Sequence, residues 1–141
     1  MPFSKTCRTD LGAVSINSKE HAKKAQDYLR QAKHAAAMAS SAYPGASKLQ
    51  TKLEIKLVML AAEHFRIAGQ QHWIHSARFY AQAAALSSGA MMDSRKSAEL
   101  YAEAAMVMEK VDTDFANEYY SKLNSNLHNA FYRTPILDLS Y

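Results

Sequence analysis

Between Ala62 and Lys122 one short pattern returns four times, and it restricts the possible folds of this chain more than any other feature. It runs alanine, two residues, an aromatic, two residues, then a small residue. The copies are Ala62-x2-Phe65-x2-Ala68, Ala77-x2-Tyr80-x2-Ala83, Ala98-x2-Tyr101-x2-Ala104 and Ala116-x2-Tyr119, the last closing on Lys122. Residues three apart share a face of an α-helix, so each copy lays a small–large–small stripe along one side. The small residues let a neighbouring helix come close, and the ring fills the space between the two backbones. The first and third copies begin 36 residues apart and the second and fourth 39 apart, the length of one helix–turn–helix repeat. The expected fold is all-α, built of about five helices in stacked antiparallel hairpins, an architecture that usually binds other proteins.

Composition agrees with that expectation. Only four Gly and three Pro occur in 141 residues, 48% of them apolar and 21% charged, so the local preference is helical and one domain can bury a core. The longest clean apolar run, Leu57 to Ala62, is far short of the ~20 residues of a membrane-spanning helix. The N-terminus lacks the apolar region of a signal peptide. Cys7, the single cysteine, has no internal disulfide partner. A cytoplasmic protein is expected. Charge is uneven: residues 1–70 carry eleven Lys or Arg against five Asp or Glu, and residues 71–141 carry six against eight. A basic N-terminal half suits an acidic partner or an anionic membrane surface.

In chain order, residues 1–16 read as a flexible arm interrupted by Gly12, residues 17–130 as the helical domain, and residues 131–141 as an irregular tail containing Pro135. Asn17 with Glu20 predicts a capping box for a helix over 18–40, whose face is Ala22, Ala25, Leu29, Ala32, Ala36 and Ala39. Ala42-Tyr43-Pro44-Gly45 is a turn. Ser47 with Gln50 predicts a second capping box and a helix over 48–68. Its core face is expected at Leu49, Leu53, Leu57, Leu60 and Ile67, widened by Ile55, Val58, Ala62 and Phe65, with Lys48, Lys52 and Lys56 as a basic line beside it. Gly69 fits a left-handed helix end. A third helix is expected over 72–87 and a fourth over 95–110, the fourth capped by Asp93 or Ser94. The fifth starts at Asp112, uses Phe115, Ala116, Tyr119, Tyr120, Leu123 and Leu127, and ends near Asn129.

Catalytic chemistry is not indicated. His72 and His75 could share a helix face with His64 nearby, but no cysteine pair or metalloprotease motif accompanies them. Cys7 has no histidine partner, and neither a phosphate-binding glycine loop nor a Gly-x-Ser-x-Gly turn occurs. No catalytic residue, metal or cofactor is expected. The seven methionines read as core filler. The aromatics are committed to the helical stripes, which leaves few to stack on bases, so nucleic acid is not an expected partner.

Three stretches resemble the soluble NSF attachment proteins, the SNAP adaptors of vesicle fusion. Ser47-Lys48-Leu49, through Glu54-Ile55, to Ala61-Ala62-x2-Phe65-Arg66-x-Ala68 is similar to the family's second helix. Ala77 falls twelve residues after Phe65, as in the family's next helix. Tyr101-x2-Ala104-Ala105, followed by Glu109-Lys110-Val111-Asp112-x3-Ala116-x2-Tyr119, resembles its fourth helix and Asp-capped fifth. The resemblance covers roughly residues 18–127. It implies a right-handed solenoid of the tetratricopeptide-like, SNAP-like type and a non-enzymatic adaptor. Such an adaptor binds the acidic SNARE bundle by charge, contacts the membrane through the loop after its first helix, and recruits the ATPase NSF with its C-terminal part. Carried over by position, Lys48, Arg66 and Lys110 are the expected partner-binding residues and Tyr43 the expected membrane-contact residue. The departures are equally specific. Glu109 replaces the first lysine of a Lys-Lys pair, Gly69 stands where a lysine is common, the membrane loop shrinks to Tyr43-Pro44-Gly45, and about two and a half hairpins are present. A truncated adaptor is therefore expected, with NSF recruitment in doubt. A scaffold resembling the huntingtin-associated SNAP-like protein, without SNARE binding, is the alternative.

Overall fold

The computed structural model describes the backbone of residues 2–139 and the side chains of residues 18–129. It is all-helical: α1 (Pro2–Ser41), α2 (Pro44–Ala68), a single 3₁₀ turn (Gln70–His72), α3 (Trp73–Gly89), α4 (Ser94–Glu109) and α5 (Thr113–Leu139). Extensive packing joins α1 to α2, α2 to α3, α3 to α4 and α4 to α5, so each helix grips chiefly its neighbours in sequence.

The alanine–aromatic stripes make the core. All eleven apolar positions of the four copies are buried, with Ala62, Ala77, Ala83, Ala104 and Ala116 at 0% exposure. The absence of side-chain bulk there is what lets consecutive helices meet closely enough to bury the rings of Tyr80, Tyr101 and Tyr119. Tyr101 and Tyr119 stack with ring centroids 6.3 Å apart across α4 and α5. Lys122, the residue that closes the fourth copy, lays its Nζ 5.8 Å from the centre of the Tyr101 ring. Burial pushes the Tyr80 phenol up to about 12. One cluster continues from Ala32 and Ala35 on α1 to Tyr119 on α5. A smaller one, Ala25, Ala61 and Phe65, joins α1 to α2.

Several helix limits differ from the sequence reading. The α1 backbone is helical from Pro2, so the described part of the expected arm extends the first helix, and Asn17 lies inside it. A capping residue needs non-helical backbone, which a continuous helix denies to Asn17. Ser18 instead donates its hydroxyl to the Ala68 carbonyl at the end of α2. The second capping box fails for a related reason: Pro44 occupies the first turn of α2, where its missing N–H costs nothing, and Tyr43 is the N-cap. Ser47 is therefore helical, its N–H bonded to the Tyr43 carbonyl at 2.9 Å. Helix α5 continues through Pro135 to Leu139 where an irregular tail was expected; Ser140 and Tyr141 lie outside the described residues. The two aspartate caps are as expected, with Asp93 accepting from the Lys96 N–H at 3.1 Å and Asp112 from the Phe115 N–H at 3.2 Å.

The largest correction concerns the face of α2. Leu49, Leu53 and Ile67 are exposed, at 68%, 44% and 56%, whereas Ile55, Leu57, Val58, Ala61, Ala62, Phe65 and Ala68 are buried. Val58 is nine residues from Leu49, two and a half turns, and so lies on the opposite side of the helix. Close approach decides which side faces inward: Ala61, Ala62 and Ala68 admit the backbones of α1 and α3, so that Leu49, Leu53 and Ile67 are left outside while Leu57 stays within and Leu60 is half-buried. Phe115 and Leu127 on α5 and Val111 beyond α4 are likewise exposed.

Gly69 ends α2 at φ 126°, ψ 179°, extended mirror-image backbone rather than the left-handed helical region expected. That region is open essentially to glycine alone. Among the described residues a Cβ there would meet only Ser18 Oγ at 3.8 Å, an ordinary contact, so the backbone angle selects glycine. Gly69→Ala is expected to destabilise the protein by about 1–3 kcal/mol in chemical denaturation; an unchanged midpoint would show that the α2–α3 junction can adopt another path.

Candidate interaction surface

Lys48 and Arg66 are eighteen residues apart on α2, five full turns, and therefore share one face of the helix. At its C-terminal end this face meets α3 and α4. The Trp73 indole Nε1 donates to the Arg66 carbonyl at 3.3 Å, and Lys110 Nζ sits 5.2 Å above the centre of the same indole. Arg66 also pairs with Glu103 of α4 at 3.6 Å, with both side chains about half exposed. Trp73 thus touches the backbone of Arg66 and the ammonium of Lys110, while the Arg66 guanidinium turns to Glu103. Lys48 stands at the far end of the same face, without contact to either. Tyr43, 77% exposed, projects at the short α1–α2 turn.

Along this face two grooves lie end to end between α2 and the start of α4, sharing Met59 and Lys96 as lining residues. The first, of about 380 Å³, has Ile55, Met59 and Met91 as apolar wall and Lys52, Lys56 and Lys96 around it. Asp93 also lines it, with its carboxylate engaged in capping α4. Ser87 is 1% exposed, and its Oγ has no hydrogen-bond partner among the described residues. The second groove, of about 340 Å³, carries Glu63, Glu99, Glu103 and Arg66. The surface is therefore basic toward Lys52 and acidic toward Glu103. Lys96 was not singled out in the sequence, because nothing along the chain ties it to Lys52 and Lys56, some forty residues earlier. A further cavity of about 390 Å³ lies where α1, α2 and α3 meet, and burial there raises the Glu54 carboxyl.

The histidines do not gather at one point. His64 faces α1, where its Nδ1 lies 2.7 Å from His21 Nδ1 and its ring stacks on Tyr28. Burial, then the neighbouring His21 and Lys24, hold His64 below the ordinary imidazole range, opposed by Glu63. His72 and His75 instead flank the Phe65 ring, each 5.6 Å from it between centroids. Among the described residues no group of three or more His, Cys, Asp or Glu is placed to hold a metal ion, and no helix is long and apolar enough to cross a membrane. Cys7 lies outside the described side chains. Comparison with family models, curated protein sequences and solved structures returns no match.

Proposed function

We propose that the protein is a non-enzymatic adaptor of intracellular vesicle trafficking that binds the acidic SNARE helical bundle, as the soluble NSF attachment proteins it resembles do. The observation that carries this reading is the single α2 face on which Lys48 and Arg66 align, extended by Lys110 over Trp73. A row of cations on a firmly packed helix attracts an acidic helix by charge complementarity, which sets orientation and speed of encounter more than final affinity. In this reading the helices form a tetratricopeptide-like, SNAP-like solenoid in the cytoplasm, with peripheral membrane contact through Tyr43.

Capture of an assembled SNARE bundle by the immobilised protein is expected to be strong at about 50 mM salt and to fall steeply by about 200 mM, as screening shortens the reach of surface charge. Lys110→Glu should weaken capture while the chain stays folded, at a stability cost of about 0.5–1 kcal/mol for the lost contact with Trp73. Capture indifferent to salt would overturn the electrostatic mode. A second reading, a helical-hairpin scaffold of the huntingtin-associated SNAP-like type without SNARE binding, is favoured by the Arg66–Glu103 pair and by Glu109 next to Lys110, which both withdraw positive charge. Failure to capture the bundle even at low salt selects it.

A further inference from the structure

We propose that the docking point on this surface is the basic groove formed by Lys52, Lys56 and Lys96. Its occupant is an acidic amphipathic helix that places an apolar side chain against Ile55, Met59 and Met91 and carboxylates against the three lysines. The proposal deepens the reading of an acidic helical partner and rests on it, but it moves the anchor to residues which that reading does not assign.

Four observations point to the groove. It is concave and mostly apolar, with a volume of about 380 Å³, in the range of pockets that accept one large side chain or a small ligand. Its charge is net basic: Lys52 and Lys56 are exposed one helical turn apart, a repulsive spacing, and Lys96 closes the opposite wall from the first turn of α4, against one lining carboxylate, Asp93, which caps that helix. Among the described residues none of the three lysines is ion-paired, whereas Arg66 is already tied to Glu103. Finally, Ser87 keeps a buried hydroxyl without a partner among the described residues behind the groove wall, a polar group that gains one if the wall parts around an entering side chain.

The neighbouring groove limits how far an acidic partner can extend. Beyond Lys96 it meets Glu63, Glu99 and Glu103, with Arg66 as the counter-charge. A uniformly acidic stretch is repelled there, so the partner's carboxylates concentrate over the lysine end. A helix of about 20 residues spans about 30 Å, enough to cover both grooves, so a partner of that length must change charge along its course.

The test uses the full chain and a fluorescent helical peptide of about 20 residues, long enough to span the surface, with a leucine stripe flanked by glutamates in the half that meets the lysines and by lysines in the other half. Binding is read by anisotropy at low salt. Lys96→Glu and the double variant Lys52→Glu/Lys56→Glu are each expected to weaken binding at least tenfold. Lys23→Glu, the same charge change on the exposed side of α1, should alter it less than threefold. A peptide with serines in place of the leucines, its charge unchanged, should lose at least tenfold. Equal losses for Lys23→Glu and Lys96→Glu would overturn the groove in favour of the overall field of the molecule. Full binding of the serine peptide would remove the apolar anchor and the proposal with it. Binding to phosphatidylserine vesicles but not to the leucine peptide would identify a membrane surface instead. If the leucine peptide binds and the groove variants bind it equally well, this inference fails while the acidic-helix reading survives; no binding of any acidic helix or SNARE bundle ends both.

Discussion

Replacing Tyr101 by alanine is expected to cost the fold about 3–5 kcal/mol, the range for removing a large buried ring. Tyr101 is 5% exposed and lies between Ala98 and Ala104, which are themselves buried. Its ring stacks on Tyr119 of α5 and lies under the ammonium of Lys122. The alanines around it carry no side chain that could swing into the space left behind, so the cavity would persist and its cost would not relax away. Chemical denaturation followed by circular dichroism measures the change directly. Tyr101→Phe should retain most of the stability, because the ring contributes the packing. A loss below about 1 kcal/mol for the alanine variant would mean that α4 and α5 do not meet through this ring.

Phe65→Ala is expected to cost a similar amount, again about 3–5 kcal/mol, but with a different distribution. Phe65 is 5% exposed and belongs to the small cluster with Ala25 and Ala61 that joins α1 to α2. It also stacks on Phe79 of α3 at 5.8 Å and on His72 of the 3₁₀ turn at 5.6 Å. Its removal loosens the junction where α1, α2 and the start of α3 converge, while the α4–α5 contact is untouched. Amide hydrogen exchange should therefore quicken first in α1 and around residues 69–73, with α4 and α5 keeping their protection. Uniform loss of protection in all helices would show one indivisible cooperative unit instead.

How much of this was legible in the sequence depended on whether spacing or residue type supplied the signal. The alanine–aromatic copies identified the buried face of four helices, because a three-residue step between small and large groups leaves few alternative packings. The row Leu49, Leu53 and Ile67 misled for the opposite reason. Leucine and isoleucine suggest a core by type, yet α2 turns inward the face that alanines make narrow. Caps divided in the same way. Asp93 and Asp112 follow obvious breaks and do cap, whereas Asn17 and Ser47 satisfy a four-residue capping pattern that a continuing helix and Pro44 pre-empt. The basic groove was only half visible, since Lys52 and Lys56 form a row on one helix but Lys96 joins them solely through the packing of α2 against the α3–α4 turn.

The serial order of the helix contacts also has a mechanical meaning. Each helix is held mainly by the one before and the one after it, so tension applied at the two ends loads the interfaces in series and not in parallel. Under a steady pull the chain should lengthen in steps, the least extensive interface, α2–α3, parting before the α1–α2 and α4–α5 pairs. Force spectroscopy on the full chain would read this as an early extension around residues 69–73, whereas a single all-or-none rupture would show that the helices yield as one unit.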